Sequence, residues 1–146
     1  MSRFAIATYC DDIRYELNGK VSLIGTFAGN LHVGSFPSTI PKLCVMVSVN
    51  CHRSNIIKDI SISGSYGESK AFELRFSENE IKNLFDNALR LEGNQHFTIQ
   101  ALMEISPFHV EKPDIFKLEV IADGENLFCP GFQVFPSDPA TNPFPQ

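Results

Sequence analysis

Cys10-Asp11-Asp12-Ile13-Arg14-Tyr15-Glu16-Leu17-Asn18-Gly19-Lys20-Val21-Ser22-Leu23-Ile24-Gly25 reads as a β-hairpin, and its register follows from side-chain chemistry. A two-residue Asn18-Gly19 turn would set Glu16 opposite Val21 and Tyr15 opposite Ser22, mixing polar and apolar groups on each face. A three-residue loop, Leu17-Asn18-Gly19 with Gly19 left-handed, pairs Glu16 with Lys20, Tyr15 with Val21, Arg14 with Ser22 and Ile13 with Leu23. That register puts an opposite-charge pair beside the turn and one apolar face below it. Cross-strand pairs of this kind contribute roughly 0.2–1 kcal/mol each, and their agreement selects the three-residue loop.

Outward from the hairpin, the chain reads as a succession of strands. Phe4 to Tyr9 alternate, Phe4, Ile6 and Thr8 against Ala5, Ala7 and Tyr9. Gly25, Gly29 and Gly34 bend the second hairpin arm before Leu31-His32-Val33, and Phe36 to Pro41 reads as a connection, since neither proline donates to a ladder. Lys42 to Asn50 is apolar on both faces and reads as a central strand. Cys51 to Asn55 reads as a polar loop, Ile56 to Ser63 as a strand and Gly64 to Ser69 as a turn. Ala71 to Phe76, Gln95 to Ile105, and Phe116 to Val120 alternate again. Ser106 to Asp114 reads as a loop around two prolines. Asp123-Gly124 is a two-residue hairpin signal, after which Leu127 to Phe135 returns as an edge or bulged strand because Pro130-Gly131 interrupts it.

One helix interrupts the strands, at about 77–92. Ser77 and Glu80 form a capping box, and Phe76 is placed to staple onto Ile81. Ile81, Leu84, Phe85, Ala88 and Leu89 make one apolar stripe, Arg90 suits the C-terminal dipole end, and Gly93 suits a left-handed stop. The predicted fold is mainly β: an antiparallel β-sandwich, immunoglobulin-like or related, of about eight strands with this amphipathic helix. A partly open barrel is the alternative. Residues 1–135 form the single domain, and 136–146, rich in proline, form an extended tail.

Composition narrows the function classes. The 146 residues suffice for a core without disulfides or metal. A net charge of −5 and scattered lysines and arginines argue against nucleic-acid binding. No apolar run reaches a membrane-spanning length, and no secretory leader precedes the first strand. Cys10, Cys44, Cys51 and Cys129 lack metal-site spacing and read as reduced thiols in the cytoplasm, the host's if a phage encodes the chain.

The segments C-D-D-I-R-Y-E-L-N-G-K-V-S-L-I-G, P-K-L-C-V-M-V and F-K-L-E-V-I-A-D-G-E resemble a family of small bacterial and phage proteins that has no assigned biochemical function. The likeness covers most of residues 8–135. The closing strand, D-G-E turn and strand also look like the last hairpin of bacterial immunoglobulin-like domains. The resemblance implies a compact sandwich of bacterial or phage origin and supplies no catalytic residue.

Asp11, Asp12 and Arg14 form the most suggestive polar cluster, readable as paired carboxylates for metal or acid–base work. Adjacent strand residues point to opposite faces, so the simpler reading has the aspartates bonding local backbone and Arg14. His32, His52, His96 and His109 are isolated, and no metal or cofactor is expected. Cys44 and Cys129 read as core hydrophobes, and Cys51, in its polar loop, as the exposed thiol. Two features suit a protein partner: Phe144 between Pro143 and Pro145, and an exposed sheet edge carrying Leu127 and Phe132. The reading that results is a non-catalytic interaction module of bacterial or phage origin, with a homo-oligomer left open. The alternatives are a phage structural or accessory virion protein, and a small-ligand sequestering protein or hydrolase with a pocket near Asp11, Asp12 and Arg14.

Overall fold

The computed structural model describes residues 3–88 and 93–137. Its elements run β1 (Phe4–Cys10), β2 (Asp12–Tyr15), β3 (Val21–Ile24), β4 (Gly29–Val33), β5 (Ser38–Ile40), β6 (Leu43–His52), β7 (Ile60–Tyr66), β8 (Ser69–Phe76), α1 (Glu78–Ala88), β9 (His96–Ile105), β10 (Phe108–Val110), β11 (Ile115–Ala122), β12 (Glu125–Leu127) and β13 (Phe132–Pro136). A three-stranded sheet, β1-β6-β9, faces a six-stranded one in the order β4-β13-β11-β7-β8, with β12 beside β11. Neither sheet closes into a barrel. The architecture is mainly β with one helix, as the alternation predicts. β13 pairs β4 in parallel, and the other strand pairs are antiparallel.

β6 is central and apolar on both faces because it lies between two strands and under a core. Its Leu43, Val45, Val47, Val49 and Cys51 point inward and are buried. From β1 it is Ala5, Ala7 and Tyr9 that turn inward, while Phe4 and Ile6 stay exposed. The two sheets meet through rings. Tyr9 lies edge-on to Phe132 with centroids 4.8 Å apart, and Phe116 stacks on Phe132 at 4.9 Å. The Tyr9 hydroxyl donates to Pro130 O at 2.8 Å, which satisfies its one polar group inside the core. Arg3 fastens the start of β1: its guanidinium donates to Asn55 and Ile56 carbonyls and pairs with Asp123 at 3.0 Å.

The hairpin has the predicted register, with Tyr15 opposite Val21, Arg14 opposite Ser22 and Ile13 opposite Leu23. Gly19 is left-handed at φ +73°, and Asn18 joins it at +62°. Its place in the fold differs from expectation. The hairpin is a separate two-stranded sheet that projects from the sandwich, with Tyr15 74% exposed. Ile13, Val21 and Leu23 are only half-buried and lie outside the main core.

α1 begins where the capping box predicts. Ser77 Oγ accepts from Glu80 N at 3.3 Å, and Ser77 O from Ile81 N at 3.0 Å. Ile81 and Phe85 are buried, Phe85 against Phe97 with ring centroids 5.2 Å apart, whereas Leu84 is exposed. The buried stripe is therefore narrower than the sequence suggests. Leu89, Arg90 and the predicted helix end lie outside the described residues. Gly93 has the expected positive φ.

Four boundaries need correction. Ser38–Ile40, between its two prolines, is the strand β5 and pairs with β10, inside the segment read as the 106–114 loop. Gly64 to Tyr66 belongs to β7, and only Gly67-Glu68 turns, with Gly67 at φ +58°. Gly64 is there because the rings of Phe72 and Phe116 cross its backbone, at 2.4 and 2.8 Å from where a Cβ would stand. Cys51 lies in β6, opposite Phe97, and the ladder continues to His52 and His96. β13 includes Pro136, opposite Val33, and the rest of the predicted tail beyond Ser137 lies outside the described residues. Among the described residues no helix is long and apolar enough to cross a membrane.

Candidate functional site

Asp11, Asp12 and Arg14 sit at the root of the hairpin without converging. Asp11 occupies the bend between β1 and β2. Its N–H donates to Ile24 O at 2.9 Å, and its carboxylate lies over Gly25, where a Cβ would come within 2.2 Å of Oδ2. Asp12 Oδ1 accepts from Ile13 N at 3.0 Å and from Lys42 Nζ at 3.1 Å. The hydrogen bond from Lys42 holds the Asp12 carboxyl below its ordinary range, and the same bond raises the lysine. Lys42 also pairs with Glu104 at 3.5 Å, and Arg14 pairs with Glu16 at 3.8 Å. The hollow beside them, about 240 Å³, is lined by Asp12, Tyr15, Lys42 and Leu102 among others, and Asp11 and Arg14 are not part of its wall. Acid–base work on one substrate needs groups aimed at shared atoms, whereas here Asp12 is turned to Lys42 and Asp11 lies over the backbone of Gly25.

Contrary to the expectation of four isolated histidines, His52 and His96 meet across the β6–β9 ladder, their rings edge-on with centroids 5.2 Å apart. His52 Nδ1 accepts from Ser54 N at 3.0 Å, His109 Nδ1 bonds Thr39 Oγ1 at 2.8 Å, and His32 lies against Phe135. Among the described residues no three His, Cys, Asp or Glu side chains gather in a metal-holding group.

All four thiols are buried and free. The expectation of an exposed Cys51 is wrong: pairing with Phe97 puts it 3% exposed on the inner face, and burial raises its thiol above the ordinary range. Burial raises Cys10, Cys44 and Cys129 as well. A thiol reacts as the thiolate, so a native chain mixed with an aromatic disulfide reagent is expected to release no fast chromophore, and the unfolded chain four equivalents. A single fast equivalent would place a cysteine at the surface.

The sheet edge expected at Leu127 and Phe132 is also corrected. Both are core side chains, 4% and 2% exposed. β13 is flanked by β4 and β11, so it is interior, and β4 forms that edge. The outward residue of the segment is Phe128, 83% exposed. Its position follows from the pleat: Leu127 and Cys129 point in, so Phe128 points out. Pro130-Gly131 then shifts the parity, and Phe132 and Val134 become the inward residues. Phe144, Pro143 and Pro145 lie outside the described residues.

Phe128 borders a broad concavity on the outer face of the six-stranded sheet. β12 pairs β11 only at Val120–Ala122, and β13 pairs it only at Ile115 and Phe116. Between these ladders residues 128–130 leave β11, Gly131 returns against the backbone of Phe116, and Lys117 to Glu119 have no ladder partner on that side. The resulting groove, about 800 Å³, has Ser63, Ser65, Lys117 and Glu119 in its lining, together with Phe128, Pro130 and Gln133. It shares Lys70, Ile115 and Lys117 with a second hollow of about 860 Å³ beside the β7–β8 turn. The exposed ring, the flanking lysines and the open backbone suit an extended polypeptide.

Residues 5–134 match the model of a family described as "Family of unknown function (DUF6941)". No curated protein and no solved structure matches the chain.

Proposed function

Since the chain belongs to this family of unknown function, we propose from its own surface that it is a non-catalytic protein-binding module, encoded by a bacterium or a phage. A partner lays an extended segment in the groove beside Phe128. The observation that carries this reading is an exposed phenyl ring at the rim of an open trough of mixed, largely apolar lining on the sheet. Large aromatic side chains are the usual anchors of interfaces, and rigid scaffolds present them without an ordering cost. Four free cysteines support a reducing, cytoplasmic setting. The origin rests on the Cys10–Gly25 signature, which resembles bacterial and phage sequences.

Affinity capture from bacterial lysate would supply the partner, and calorimetry with the purified partner tests the site. Phe128→Asp is expected to weaken binding by roughly thirtyfold, as for an interface anchor, while leaving the melting temperature unchanged. Equal affinity for wild type and Phe128→Asp would remove the groove from the reading. A second reading, a subunit of a larger assembly such as a virion, is favoured by one observation: the long free edge of β9.

A further inference from the structure

We propose that a second copy of the chain pairs antiparallel with the first along the free edge of β9, about a two-fold axis, extending the three-stranded sheet to six strands. This does not depend on partner binding at Phe128. β6 occupies one side of β9, and among the described residues no strand pairs the other. The edge is ten residues long, His-Phe-Thr-Ile-Gln-Ala-Leu-Met-Glu-Ile, without proline, glycine, lysine or arginine. Its one acidic group, Glu104, is engaged with Lys42.

Sheet edges that remain solitary carry charges, prolines or bulges, or are short. The two outer edges of the six-stranded sheet obey that rule. β8 carries Lys70, Glu73 and Arg75, joined in ion pairs, and a bulge at Gly64/Ser65 distorts its pairing with β7. β4 is five residues long and begins with glycine. On the free side of β1 only Tyr9 is covered, its carbonyl accepting from Phe27 N, and Phe4 to Thr8 form a shorter uncharged edge. Among the described residues β9, ten residues long, is the longest edge left without such protection.

The surroundings of that edge point the same way. On its inner face Phe97, Ile99 and Ala101 are buried, and Phe85 of α1 covers the Phe97 end. Met103 and Ile105, farther along, are only half-buried. Tyr15, projecting on the hairpin, shares a hollow with Leu102 and Met103. An apolar margin therefore borders the unpaired backbone at the end that α1 leaves open.

The sequence of β9 is complementary to itself. With the axis at Leu102, the two copies of Leu102 meet, Ala101 faces the partner's Met103, Ile99 the partner's Ile105, and Gln100 the partner's Glu104. Apolar groups face apolar groups, and no like charges are opposed. Seven residues pair, and the join stays clear of the Phe97 end, where α1 sits. An isologous contact of this kind closes as a dimer and leaves no free β9 edge.

Light scattering on the full chain is expected to give twice the monomer mass of 16.3 kDa. Leu102→Lys, which sets two cations together on the axis, is expected to restore the monomer mass with unchanged circular dichroism. Gln100 is exposed, so its variants fold, and they test the register. Gln100→Glu is expected to raise the dimer dissociation constant and Gln100→Lys to lower it, each by roughly two- to thirtyfold, because symmetry counts the pair with Glu104 twice. A wild-type chain that remains at 16.3 kDa, a dimer that survives Leu102→Lys, or equal constants for the two Gln100 variants would overturn the proposal.

Discussion

Gly131→Ala is expected to lower the melting temperature by roughly 6–12 °C, corresponding to a loss of about 3 kcal/mol or more. A Cβ at residue 131 would stand 1.8 Å from Phe116 O and 2.9 Å from its carbonyl carbon. Both atoms are backbone of β11, so no rotamer change relieves the overlap. The strand or the bulge must move. Movement there disturbs the ladder at Ile115–Gln133 and Phe116–Phe132 and the bond from Tyr9 to Pro130 O. Residue 131 does not need a left-handed backbone, so the penalty is one of space alone. Gly34→Ala is the matched control. Nothing lies within 4 Å of its added Cβ and its φ is ordinary, so its melting point should not fall. A Gly131→Ala shift under about 2 °C would mean that the bulge does not touch β11.

The contrast between what was legible in the sequence and what was not has a physical basis. The hairpin register was legible because opposed side chains one to four residues from the loop decide it, and Asp123-Gly124 because a two-residue turn leaves few backbone options. The faces of β9 and β11 were legible from pleating alone. The hairpin's projection was not, since an apolar face does not reveal what covers it, and Tyr15 remains in solvent. β5 and β10 are three-residue strands far apart in sequence, flanked by prolines that mark turns more often than ladders. The parallel pairing of β4 with β13 likewise depends on contacts that no local pattern encodes. Cys51 was misplaced because the polar run after it hid the last two pairs of the β6–β9 ladder. Within the candidate site, Asp11, Asp12 and Arg14 drew notice as charged neighbours, yet adjacency in a strand separates side chains. Phe128 could have been found. Inward Leu127 and Cys129 require an outward residue between them, and Pro130-Gly131 marks the place where the parity changes.

Phe116→Ala is expected to cost about 3–5 kcal/mol in chemical denaturation, the range for emptying a buried aromatic site. Phe116 is fully buried on β11, an interior strand between β7 and β13. Its ring stacks on Phe132 at an interplanar angle of 9°, and meets Tyr9 and Phe108 edge-on at 5.9 and 6.1 Å. Tyr9 belongs to the opposite sheet, so this ring takes part in holding the two sheets together. The site cannot collapse readily, because the rings around it are each held by a different strand and Gly64 beneath has no side chain to move in. Phe116→Leu keeps much of the volume and should lose less. The decisive comparison is Phe128→Ala, the same substitution on the neighbouring chain segment but directed outward, for which a change within about 0.5 kcal/mol is expected. Equal losses at the two positions would contradict the inward and outward assignments, and with them the placement of Phe128 as a contact residue. A large loss at 116 beside none at 128 would assign the first ring to the fold and leave the second available for a partner.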